Sequence, residues 1–271
     1  MKQLVRAKFT SFGLKVPNNW QQPKGEGDAD HYNDAFKDNE RSTAPGSPPL
    51  FQPATMNAYH TNTQKQLIKD FGDYLDGIVD AICFAWGQWQ NLAAMSGVVI
   101  NSMVAAGGVV VGPPLGPLIL SKAPQGKMNY IRYSTAIASA IDTGWTAFQA
   151  SIKVPGLTWY PSFLMVTLPI APPTPNIPMP LASLTSVTTG LSCNVLKGLM
   201  IANFADPQAP FHAQLFEAVA DGVEKTLMQW MASTIVTNVM GTGPVPTFAP
   251  PVVPGGPVVG GVGTMPPGGF K

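Results

Sequence analysis

Apolar residues recur at helical steps in three stretches of the chain, and each stretch leads into a long segment without charge. Leu67, Phe71, Leu75, Ile78, Ile82, Ala85 and Trp89 repeat every three or four positions. That spacing predicts one apolar face of a helix over residues 63–89, with Asp70, Asp73, Asp76 and Asp80 off it. Ile131, Ser134, Ile137, Ile141, Trp145 and Phe148 predict a second helix over 127–152, and Leu215, Val219, Val223, Leu227 and Trp230 a third over 210–236. A further helix is predicted over 183–203. The three main stretches align without gaps over ten positions, 80–89 on 139–148 on 221–230, placing Trp86 over Trp145 and Trp89 over Phe148 and Trp230. Large aromatics on such faces predict core, and the alignment is consistent with an imperfect internal repeat.

The segments that follow cannot be long helices. Residues 81–121, 154–196 and 226–270 contain no Asp, Glu, Lys or Arg, and they hold most of the prolines: four in 112–126, eight in 155–180 and eight in 244–267. Proline fixes φ and removes a donor, so these segments should be extended, as polyproline or as edge strands. Leu157, Trp159, Tyr160, Phe163 and Leu164 would make a poor solvated linker. The expected fold is therefore mainly α: amphipathic helices in imperfect repeats, joined by long extended proline-rich arms. Residues 1–60 should be an irregular N-terminal arm, with Trp20, Tyr32, Phe36 and Phe51 as anchors. Residues 61–240 form the helical body, with arms at 112–126 and 154–182. Residues 241–271, rich in proline and glycine, form a C-terminal arm expected to lie in a neighbour's groove rather than in its own core.

Charge sharpens the picture. Nineteen of the Asp, Glu, Lys and Arg residues lie in positions 1–80, and only twelve in the remaining 191. A free monomer needs charged surface to stay soluble, so the charge-poor majority is expected to be covered by other subunits or by lipid. A net charge of +1 gives no electrostatic footprint for nucleic acid. The N-terminus has basic residues but no apolar run after them, so it does not read as a signal peptide.

Catalytic chemistry finds no pattern to rest on. Asp28, Asp30, His31 and Asp34 cluster, but counted as a calcium loop from Asp28 the sixth and twelfth positions are Asn33 and Asn39, not Gly and Glu. His31, His60 and His212 stand far apart and outside any HExxH motif. No G-x-S-x-G elbow is present, and the glycines of 255–263 precede no Walker lysine. Cys83 and Cys193 sit in apolar context and read as buried, inert thiols, paired or unpaired. No catalytic, cofactor or metal residue is assigned, and an enzyme is not expected.

Proline-phased apolar stretches such as Val154-Pro-Gly-Leu-Thr-Trp-Tyr-Pro161, Ala171-Pro-Pro-Thr-Pro-Asn-Ile-Pro-Met-Pro180 and Gly243-Pro-Val-Pro-Thr-Phe-Ala-Pro-Pro251, between amphipathic helices, resemble structural proteins of tailed-phage virions and phage-like contractile injection systems. The resemblance implies a non-enzymatic structural subunit of such a particle, assembled in the host cytoplasm. Its partners would be copies of itself and other structural subunits, clamped together by extended arms. The alternative is a membrane-active or pore-forming protein. Residues 92–111, from Leu92 to Val111, are uncharged and long enough to span ~30 Å of hydrocarbon as a helix. They lack basic flanks, however, and prolines follow at once.

Overall fold

The computed structural model describes residues 1–13, 53–126, 128–207, 209, 211–249 and 255–271, with backbone alone for 53–68, 128 and 129. The expected arm over 14–52, with its aromatic anchors and the Asp28–Asp34 cluster, lies outside the described residues. The chain divides into two units. One comprises Met1–Ser11 with Tyr74–Lys271, and the other is Phe12–Asp73.

Six helices are described: α1 (Lys2–Ser11), α2 (Pro53–Leu92), α3 (Leu115–Lys122), α4 (Met128–Ser151), α5 (Cys193–Phe204) and α6 (His212–Ser233). Eight strands accompany them: β1 (Ala94–Asn101), β2 (Val104–Val111), β3 (Val154–Thr158), β4 (Ile170–Pro175), β5 (Met179–Pro180), β6 (Ile235–Val236), β7 (Met240–Pro244) and β8 (Gly261–Met265). Six of these form one antiparallel sheet in the order β3-β2-β1-β8-β7-β4, and β5 pairs with β6. The mainly α expectation is overturned: this is an α/β fold, 52% helical and 22% strand.

The helical periods place the core. Leu75, Ile78, Ile82, Ala85 and Trp89 of α2 are buried, as are Ile137, Ile141, Trp145 and Phe148 of α4 and Leu215, Val219, Val223 and Leu227 of α6. Ile131, expected on the inner face of α4, is exposed instead. The aligned aromatics meet. Trp86 and Trp89 lie 4.8 and 5.0 Å from Trp145, and 5.3 and 5.9 Å from the half-buried Trp230, measured between ring centroids. Two helix ends also exit alike. Ala93 N donates to Trp89 O and Thr234 N to Trp230 O, both at 2.8 Å, before the chain turns into strand.

The arms expected at 112–126 and 241–271 are corrected, whereas that at 154–182 is extended as expected and supplies β3 and β4, the two edge strands of the sheet. Residues 112–126 contain α3, where Pro117 stands in the first turn and forfeits only an N–H that has no partner within the helix. The N–H of Gly116 in that turn donates to Asp142 Oδ1 at 2.9 Å. The predicted helix over 183–203 shortens to α5, because Thr185, Val187, Thr188 and Gly190 are weak helix formers, and two 3₁₀ turns precede it. Residues 92–111 are no helix but the β1–β2 hairpin. Its two-residue loop opens with Ser102 at φ 55°, as a II′-type turn requires. Residues 241–271 are no docking arm but supply β7 and β8, two inner strands of the chain's own sheet. Their inward positions Gly241, Gly243, Gly261 and Gly263 are all buried. A Cβ on Gly241 would stand 2.6 Å from the Tyr160 ring, so glycine there makes room for that ring. Tyr160 in turn donates from its hydroxyl to Val239 O at 2.7 Å and stacks on Phe163.

The N-terminus is not irregular either. α1 is a helix whose Val5 is fully buried. A ten-residue helix is marginal in isolation, so its neighbours must stabilise it.

Candidate interaction surface

Strand periodicity gives the sheet two faces of different fate. Met95, Val98, Ile100, Ala105, Val110 and Met265 point inward and are buried. Their neighbours along the strands point out and are exposed: Val99 (48%), Val109 (52%), Val111 (60%) and Val262 (55%). Direct pairing makes them contiguous. Val99 stands opposite Ala106 on one side and Val262 on the other, and Val262 stands opposite Thr242. Asn101 stands opposite Val104, and Ser96 opposite Val109.

No Asp, Glu, Lys or Arg occurs in any of the six strands. A solvated antiparallel face normally alternates polar with apolar residues. This one instead carries valine, alanine, threonine, serine, asparagine and proline. The two edges differ from it. β3 carries Pro155, and β4 carries Pro172, Pro173 and Pro175. Proline cannot donate to a ladder, so both edges resist pairing with another strand. The sheet is closed to lateral addition and open on its face.

Charge gathers elsewhere, around α1. Arg6 donates to both oxygens of Asp76, Nε to Oδ1 at 2.7 Å and Nη2 to Oδ2 at 2.6 Å. Lys2 pairs with Asp80 at 2.7 Å. Glu217 accepts from Lys8 at 3.0 Å and from Lys197 at 2.7 Å. The Arg6 hydrogen bonds hold the Asp76 carboxyl below its ordinary range, and those of Lys197 and Lys8 do the same for Glu217. The ammonium groups of Lys2 and Lys8 are correspondingly raised by Asp80 and Glu217. Between the pairs, Val5 seats against Gly222 of α6, where any Cβ would collide with it.

The described residues weighed for chemistry, Cys83, Cys193 and His212, are dispersed. Cys83 is exposed, contrary to expectation, and Cys193 is half-buried; both are free thiols. Desolvation pushes both thiols up in pKa, away from the reactive thiolate. His212 contacts Ala209 O through Nδ1 at 2.6 Å and stacks on Phe204. Among the described residues no group of His, Cys, Asp and Glu is arranged to hold a metal ion. No helix among them is long and apolar enough to cross a membrane. No protein-family model, curated protein or solved structure matches this chain.

Proposed function

We propose that this chain is a non-enzymatic structural subunit of a large assembly, of the virion or phage-like-particle kind that its proline-phased segments resemble. One observation carries the reading: the outer face of the six-stranded sheet is exposed, contiguous and without a charged residue. Exposed apolar faces of this kind mark contact with other macromolecules. The contact differs from the clamp expected of extended arms, since those segments fold into the chain's own sheet. Subunits would meet through the face, with the proline-bearing edges preventing open-ended strand addition.

The test is light scattering of the isolated chain at several concentrations without detergent, beside flotation with neutral and anionic liposomes. A defined oligomer that does not float supports the subunit reading. A sharp monomer peak at every concentration overturns it. Flotation of the chain with the liposomes overturns it in favour of a membrane-active protein.

A further inference from the structure

We propose that the partner at the open sheet face is a second copy of this chain, seated face to face about a two-fold axis so that the two sheets stack as a sandwich. The inference rests on the subunit reading above and names the first contact of the assembly. The shape and chemistry of the face select the occupant. One row of outward residues crosses five strands by direct pairing: Pro155, Ala106, Val99, Val262 and Thr242. None is larger than valine, so no long side chain stands out along this line. A flat face is matched by another flat face, and stacked sheets lie about 10 Å apart. Two polar groups of the face are already engaged within the chain. Thr242 Oγ1 donates to Ala171 O at 2.6 Å, and Asn101 Oδ1 accepts from Gly260 N at 2.9 Å. No strand of the sheet offers a charge for a charged partner to meet. The matching occupant is therefore flat, uncharged and apolar, and every copy of the chain presents such a surface.

The extent of the face suffices for a stable pair. Six strands about 4.8 Å apart, of five to eight residues rising about 3.3 Å each, make a face of roughly 600 Å². Two such faces together bury about 1,200 Å², the lower end of the range for stable specific interfaces. The same patch on both copies makes the contact isologous, and an isologous contact closes at two. Growth in the plane of the sheet is blocked by the prolines of β3 and β4, and the inner face is spent on the chain's own core. β1 and β8 are the two middle strands, so Val99 and Val262 lie at the centre of the face. A two-fold axis through that centre sets each of them close to its own copy across the interface.

Single-cysteine cross-linking of the full chain tests this. Cys83→Ser and Cys193→Ser remove the native thiols, and Ala106→Cys, Val99→Cys, Val262→Cys or Thr242→Cys places one thiol on the row. Cysteine is small, so fold and face remain in place, and each variant should keep the wild-type circular-dichroism melt. Cys193→Ser alone leaves the exposed thiol of Cys83, on α2 and off the sheet, as the control for random collision. A short bis-maleimide joins the copies at micromolar protein. Covalent dimer should form at Val99→Cys or Val262→Cys at least about tenfold faster than in the control, because thiols held together meet at a millimolar effective concentration. A contact between unlike surfaces sets no thiol opposite its own copy and gives no such gain. Cross-linking no faster at any of the four positions than at Cys83, while the wild-type chain still forms an oligomer, overturns the two-fold pairing and leaves the assembly reading intact. A wild-type chain that stays monomeric at every concentration overturns both.

Discussion

Trp145 lies at the centre of the aromatic cluster, and its removal separates packing from hydrogen bonding. The side chain is 2% exposed and faces Trp86, Trp89, Phe148 and Trp230 within 5.9 Å. Truncation to alanine removes buried area and leaves a cavity, at a cost of about 3–5 kcal/mol. An offset exists, because the indole Nε1–H of Trp145 is buried without a hydrogen-bond partner among the described residues. Deleting an unsatisfied buried donor recovers about 1–3 kcal/mol. Trp145→Ala should therefore destabilise by roughly 2 kcal/mol net. Trp145→Phe keeps most of the ring, loses the orphan donor and should be close to neutral. Trp89→Phe is the control. Its Nε1 donates to Gln149 Oε1 at 2.5 Å, so the same substitution breaks a bond and should cost about 1 kcal/mol more than at Trp145. The assay is urea unfolding followed by far-ultraviolet circular dichroism, which does not depend on the tryptophans removed. The reasoning fails if Trp145→Ala unfolds at the wild-type midpoint, or if Trp145→Phe is as damaging as Trp145→Ala.

Two further outcomes follow from the fold. Deleting residues 241–271 removes β7 and β8 from the interior of the sheet and should abolish the cooperative thermal transition; a truncated chain that melts like the full one would contradict their place there. The docking of α1 should depend on pH in a defined direction. Asp76 and Glu217 have depressed carboxyl pKa values, so their contribution is present above the ordinary carboxylate range and is lost as pH falls through the lower folded values. Lys2 and Lys8 are raised, so theirs is present below their ordinary pKa and is lost as pH climbs through the folded values. Amide exchange in α1, corrected for intrinsic rates, should accelerate at both extremes and stay flat between; loss of protection near neutrality would contradict the ion pairing.

The helical half of the fold was legible because its signal is apolar and periodic. Ile78, Ile82, Ile137, Ile141, Val219 and Val223 stand where the three- and four-residue steps put them, and the aligned aromatics converge. Cys83 was misread as buried from its apolar neighbours in sequence, although it shares a face of α2 with Asp76 and Asp80 and is exposed. The sheet was hidden for a physical reason. β7 and β8 turn glycine inward, so their period-two alternation sets glycine against threonine and valine rather than apolar against polar. The β1–β2 hairpin was hidden by its outer face, where valines replace the polar residues that would have marked the alternation. That same substitution is the signal of the interaction surface, visible in sequence only as missing charge. α1 escaped notice because its partners, Gly222 against Val5 and the acids at positions 76, 80 and 217, lie far from it in the chain.

The open sheet face carries the account, and two side chains on it suffice to test it. Val99 and Val262 are paired across β1 and β8, and both are exposed. Substituting both with glutamate should leave the subunit fold intact, because the new carboxylates remain in water. Any interface covering them would have to bury unpaired charge, which is strongly unfavourable. Sedimentation velocity of the double variant should show the monomer alone, with the wild-type thermal transition preserved. A variant that sediments as the wild-type oligomer would contradict the claim that subunits meet through this face.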